Sequence, residues 1–63
     1  MAFAAVVART SAQGMEYLVR DTGRAEWGVN AQAAARYQSL RDATRAALRL
    51  PSTLRAFALP AES

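Results

Sequence analysis

Arg41, Arg45 and Arg49 stand four residues apart in the segment SLRDATRAALRLPS, residues 39–52. If the segment is helical, that spacing lines three guanidinium groups along one side, spread over about 80° of arc. Two chemistries use such a row. The cations can rest on successive phosphates of a nucleic-acid backbone, or they can pair with carboxylates on an acidic protein surface. The plainer reading is a solvated helix face. All eight cations of the chain are arginine, and abundant Ala and Arg without Lys or Ile is also the signature of a GC-rich coding sequence.

Carboxylates are the other groups that could do chemistry. Glu16, Asp21, Glu26 and Asp42 lie inside the patterned region. Two carboxylates held a few ångströms apart can divide acid and base roles, provided a pocket shifts one of them. The hairpin register argued below sets Glu16 and Glu26 on one side, where an acid pair is conceivable. They would sit there beside Arg20 and Arg24, on a face open to water. Histidine, cysteine and lysine are absent, which removes the commonest general base, the thiolate, the Schiff-base amine and the soft metal ligands. No glycine pattern cradles a phosphate. The expectation is a protein that is not an enzyme and has no metal or cofactor.

Sixty-three residues make one domain near the lower size limit for independent folding. The expected folded part is 3–59, with 60–63 frayed. The 52% apolar content overstates the core, because 16 of the 33 apolar residues are alanine. No disulfide or zinc site can staple the fold. Self-association as a homodimer, or docking onto a larger partner, is therefore the expected source of further stability. No uncharged apolar run approaches ~18 residues, so no membrane span is expected. The start MAFAAVVART lacks a cationic leader region, and cytoplasm is the default location.

The elements that position these groups can be read from periodicity. Residues 3–9, FAAVVAR, suit a strand buried on both sides, and TSAQG at 10–14 is a turn closed by glycine. MEYLVR at 15–20 alternates as a half-buried strand. DTG at 21–23 suits a three-residue hairpin loop with Gly23 at positive φ. That loop pairs Arg20 with Arg24, Val19 with Ala25, Tyr17 with Trp27 and Met15 with Val29. It puts the two aromatics on one face and Leu18, Val6, Glu16 and Glu26 on the other. A two-residue loop would instead set Leu18 opposite Trp27. Asn30 caps a short helical turn over 31–36. Ser39, with Asp42 three residues on, opens a helix whose apolar stripe is Leu40, Ala43, Ala47 and Leu50. Pro51 stops it. TLRAFAL is a last extended segment closed by Pro60.

The order is β-β-β-short α-α-β. The class is α+β: a small three- to four-stranded, mainly antiparallel sheet covered on one face by one amphipathic helix. A small all-α bundle is the alternative. Phe3, Val7, Tyr17, Trp27, Leu40, Leu50 and Phe57 are the expected core.

The stretch EWGVNAQAAARYQSLRDATRAAL, about a third of the chain, resembles a pattern in small uncharacterised bacterial and phage proteins. Trp27, Asn30, Ala34, Tyr37, Ser39, Ala43 and Ala46 occupy the places of its tryptophan, cap, aromatic, second cap and spaced alanines. The resemblance implies the fold and no settled activity. Small proteins of that kind include phage-encoded inhibitors such as anti-CRISPR proteins, an analogy for function.

The leading expectation is a non-enzymatic interaction module, a regulator or inhibitor bound to an acidic protein surface. Its partner-binding residues would be Arg41, Arg45, Arg49, Arg20, Arg24 and Leu18. The competing expectations are a nucleic-acid binder using the helix arginines on phosphates, and an accessory structural subunit.

Overall fold

The computed structural model describes residues 4–22 and 24–61. Phe3, and the expected positive φ of Gly23, lie outside the described residues. β1 (Ala4–Ser11), β2 (Gly14–Thr22) and β3 (Arg24–Gly28) are followed by a 3₁₀ turn at Ala31–Ala33 and by α1 (Leu40–Leu48). A second 3₁₀ turn at Ser52–Leu54 leads into β4 (Phe57–Ala61). The strands form one antiparallel sheet in the order β3-β2-β1-β4, and α1 lies across β1 and β4. The class is α+β, as the pattern of the sequence implies.

Pairing assigns each side chain to a face, because directly opposed residues project to the same side. Arg9 is opposite Glu16, Leu18 opposite Trp27, and Val7 opposite Ala58. One face therefore carries Ala5, Val7, Arg9, Glu16, Leu18, Ala25, Trp27 and Ala58. Ala43, Ala46 and Ala47 of α1 pack onto this face with Ala5, Val7 and Leu18. The other face carries Val6, Ala8, Met15, Tyr17, Glu26, Gly28, Phe57 and Leu59, and among the described residues no long helix covers it.

The hairpin register differs from the expected one. Leu18, not Tyr17, is opposite Trp27; Arg20 is opposite Glu26; and the register shifts between Leu18 and Arg20. Tyr17 and Trp27 consequently lie on opposite faces, and so do Glu16 and Glu26. The reason is polarity. The position beneath α1 is completely dry, with Leu18 at 0% exposure. Leucine fills such a site without stranding a polar atom, whereas a tyrosine hydroxyl or an indole N–H needs a partner there. The irregularity at Val19 lets Leu18 point inward while Arg20 stays wet.

Alanine builds this core. Among the described residues nine apolar ones are buried, six of them alanine, and Leu18 and Val7 are the largest fully buried side chains. Small residues let α1 approach the sheet closely. Trp27, Tyr37 and Leu50 close the margins. Leu40 and Phe57, expected inside, are 41% and 37% exposed. A helix seated on alanines leaves Leu40 at its flank, and Phe57, opposite Ala8, is on the sheet face that α1 does not cover.

β1 and β2 pair only between Ala8–Tyr17 and the turn at Ser11–Gly14, where Gly14 takes φ +123°. Beyond Ala8 the two strands part, and residues 34–37 enter the gap. Ala5 and Tyr37 exchange both backbone hydrogen bonds, at 3.0 and 2.9 Å, and the Ala35 N–H donates to the Leu18 carbonyl at 2.9 Å. The chain thus passes from the open face, where the first 3₁₀ turn lies, to the face where α1 begins. Asn30 caps that turn by accepting from the Gln32 N–H, and Ser39 caps α1 by accepting from the Asp42 N–H.

The last segment also departs from expectation. Thr53 and Leu54 belong to a 3₁₀ turn, and Arg55 follows in the left-handed region with φ 54°. β4 continues through Pro60 to Ala61. Proline fits because the N–H and C=O of Ala5, its opposite residue, turn away toward Tyr37. Pro60 nitrogen therefore points off the sheet edge, where no ladder hydrogen bond is lost.

Candidate functional site

α1 is held by its alanine face and by the Ser39 cap, so its outer face is fixed in orientation. At 100° per residue, the buried positions 43, 46, 47 and 50 centre on one side. Arg41, Leu48 and Arg45 project from the far side, with Thr44 and Arg49 flanking them. All five are exposed. Leu48 is 78% exposed, and Leu40, lower on the same helix, is 41% exposed. The strip is a leucine set among arginines. Successive members of the arginine row rise about 6 Å along the axis. Asp42 is the helix's carboxylate, and it sits near the cap.

The other expected partner-binding residues do not join this strip. Arg20 and Arg24 are exposed on the β2–β3 hairpin. α1 covers β1 and β4, so the hairpin lies toward the opposite edge of the sheet. Leu18, expected on an open apolar face, is fully buried beneath α1, and its side chain offers nothing to a partner. The expected union of an arginine stripe with an apolar sheet face also fails on geometry, because the two surfaces look in opposite directions.

The open face is a second surface. Phe57, Ala8 and Tyr17 form a row across β4, β1 and β2. Ala8 is fully buried between its larger neighbours, while Phe57 and Met15 stay 37% and 36% exposed. Beside the row, the 3₁₀ turn and the crossing segment wall a groove of about 270 Å³. Val6, Tyr17, Leu59 and Ala31 line it, with Gln32 and Arg36 as its polar members. On the helix-covered face, Arg9 closes the end that α1 leaves bare. Its guanidinium carbon lies 4.4 Å from the centre of the Trp27 ring, and its Nε donates to Glu16 Oε1 at 2.8 Å. Glu16 is thereby committed to a structural ion pair. Among the described residues no cluster of His, Cys, Asp or Glu is arranged to hold a metal. No helix among them is long and apolar enough to cross a membrane.

Sequence reading did not count Leu48, Phe57, Met15 or Arg36 among the binding residues, and it placed Phe57 in the core. For Leu48 the signal was present: on a helical wheel it lies about 20° from Arg41. No family model, no curated protein and no solved structure matches the chain.

Proposed function

We propose that the chain is a non-enzymatic protein-binding module, a regulator or inhibitor that docks through the outer strip of α1 on an acidic protein surface. The observation that carries this reading is Leu48, 78% exposed beside the arginine row and about 20° around the helix from Arg41. A phosphate backbone has no use for a protruding leucine. A protein surface does, since an apolar anchor ringed by arginine is the usual composition of an energetic contact centre. Arg41, Arg45 and Arg49 supply steering and carboxylate pairing.

The competing reading, phosphate binding by the same arginines, gives different numbers. Three neutralised phosphates give a salt slope of about −2.7, or roughly a 40-fold loss of affinity between 50 and 200 mM salt. Leu48→Glu and the triple change of Arg41, Arg45 and Arg49 to Ala separate the two. The assays are anisotropy with labelled duplex DNA and single-stranded RNA, and capture from the native cell followed by mass spectrometry. The protein-binding reading expects one captured protein lost with both variants and negligible nucleic-acid affinity at 50 mM salt. Tight, salt-steep nucleic-acid binding that loses affinity in the arginine variant but ignores a neutral Leu48→Ser change would reject it.

A further inference from the structure

The groove on the open face joins an apolar half to a polar half. Val6, 5% exposed, forms its floor, with Leu59 and Pro60 of β4 beside it. Across from them stand Tyr17, Gln32 and Arg36. Among the described residues no hydrogen bond or ion pair engages the Arg36 guanidinium, the Tyr17 hydroxyl or the Gln32 side-chain amide. Three donors are therefore available to whatever enters.

The polar wall is fixed by backbone. Ala33 and Ala34 donate to the carbonyls of Asn30 and Ala31 at 3.1 and 3.2 Å, and Ala35 donates to that of Leu18 at 2.9 Å. Tyr37 is locked to Ala5, so its ring goes to the face that α1 covers. Arg36, the residue before it, stays on the open side. A groove formed in advance costs little ordering entropy to fill.

Charge selects the occupant. Arg20 is directly opposite Glu26, and Arg24 lies two residues from Glu26 on the same side. With Arg36, the open face carries three arginines against one carboxylate among the described residues. That excess attracts an anion. One guanidinium lines the groove, which suits a single negative charge, and its planar fork matches the two oxygens of a carboxylate. A phosphate dianion would be left half neutralised, because Arg20 is three residues from Tyr17, roughly 10 Å along β2. Size sets the rest. A volume of about 270 Å³ falls just below the range for drug-sized ligands, which limits the occupant to roughly ten non-hydrogen atoms.

We propose that this groove binds a small monocarboxylate with an apolar body. The carboxylate rests on Arg36, with Tyr17 and Gln32 as further donors, and the body lies on Val6, Leu59 and Pro60. The site is independent of the α1 strip, which is on the other side of the sheet.

Amide chemical shifts of the ¹⁵N-labelled protein, titrated with phenylpropanoate, test it. At the efficiency usual for so small a ligand, the Kd should be about 1 mM. The shifts should concentrate at Val6, Tyr17, Gln32 and Leu59. Phenylpropanamide, equal in size and uncharged, should bind about tenfold more weakly, and acetate, which has no apolar body, should not saturate below about 20 mM. Arg36→Gln should weaken phenylpropanoate about tenfold and leave the amide unchanged. Arg55→Gln removes an exposed arginine outside the groove and should change neither. Ala31→Leu, which fills the groove from an exposed position, should abolish binding of both while the remaining spectrum stays folded. Equal affinity for acid and amide, indifference to Arg36→Gln or Ala31→Leu, shifts centred on α1, or no saturation by phenylpropanoate below about 20 mM would each overturn the proposal.

Discussion

One substitution made at two leucines tests the core and the binding strip together. Leu18 is fully buried and Leu48 is 78% exposed, so Leu→Ala is the same chemical change in opposite surroundings. At Leu18 it removes three carbons from beneath α1 and leaves a cavity lined by Val7, Ala43, Ala46 and Ala47. These are side chains too small to collapse into it. Such changes cost about 3–5 kcal/mol. Unfolding entropy near 2.1 cal/mol/K per residue makes each kcal/mol worth about 7 °C in a domain of this size. The melting temperature should fall by roughly 20 °C or more, which leaves much of a marginal domain unfolded at room temperature. At Leu48 nothing buried is lost and alanine is the better helix former, so the change should stay within about 0.5 kcal/mol. Thermal melts followed by far-UV circular dichroism, with urea titration as a check, resolve the contrast. If Leu18→Ala lowers the midpoint by less than about 5 °C, or the two variants shift alike, Leu18 is not the interior leucine and the register that puts it there is wrong.

Gly14→Ala should cost about 1–2 kcal/mol, read as a melting shift. Gly14 holds φ +123° with open space around a would-be Cβ, so the penalty is backbone strain alone. Arg9→Ala should shift Trp27 fluorescence to the red as the indole loses its guanidinium lid, at a stability cost of about 0.5–1 kcal/mol. Ser39→Ala removes the acceptor for the Asp42 N–H at 3.2 Å. It should cost about 1 kcal/mol and reduce helical ellipticity.

Much of the fold was legible because local rules and tertiary packing agree in it. The alternation in MEYLVR, the caps at Asn30 and Ser39, and the stop at Pro51 each have a local cause, and each marks an element or a boundary in the structure. What the sequence did not reveal depends on distance between layers. Alanines 43, 46 and 47 bring α1 so close that Leu18 takes the space that pairing Tyr17 with Trp27 would have claimed. The irregularity at Val19 then shifts the register, and no local signal announces it. Residues 34–37 lie between β1 and β2, an arrangement set by pairing rather than by composition. The arginine strip was legible as a periodicity. Its separation from the hairpin arginines was not, because strand order decides that and a hydrophobic pattern does not encode strand order.

The two surfaces lie on opposite sides of one thin sheet, so each can be broken without touching the other. This makes the helix reading separable from any contact made by the sheet. Leu48→Glu should lower the affinity for the captured partner at least tenfold, and Phe57→Asp, on the open face, should leave it within about twofold. Surface plasmon resonance on the captured partner distinguishes these outcomes. Equal loss with both variants would mean that the sheet face touches the partner directly, and the division of labour between helix and sheet would be wrong.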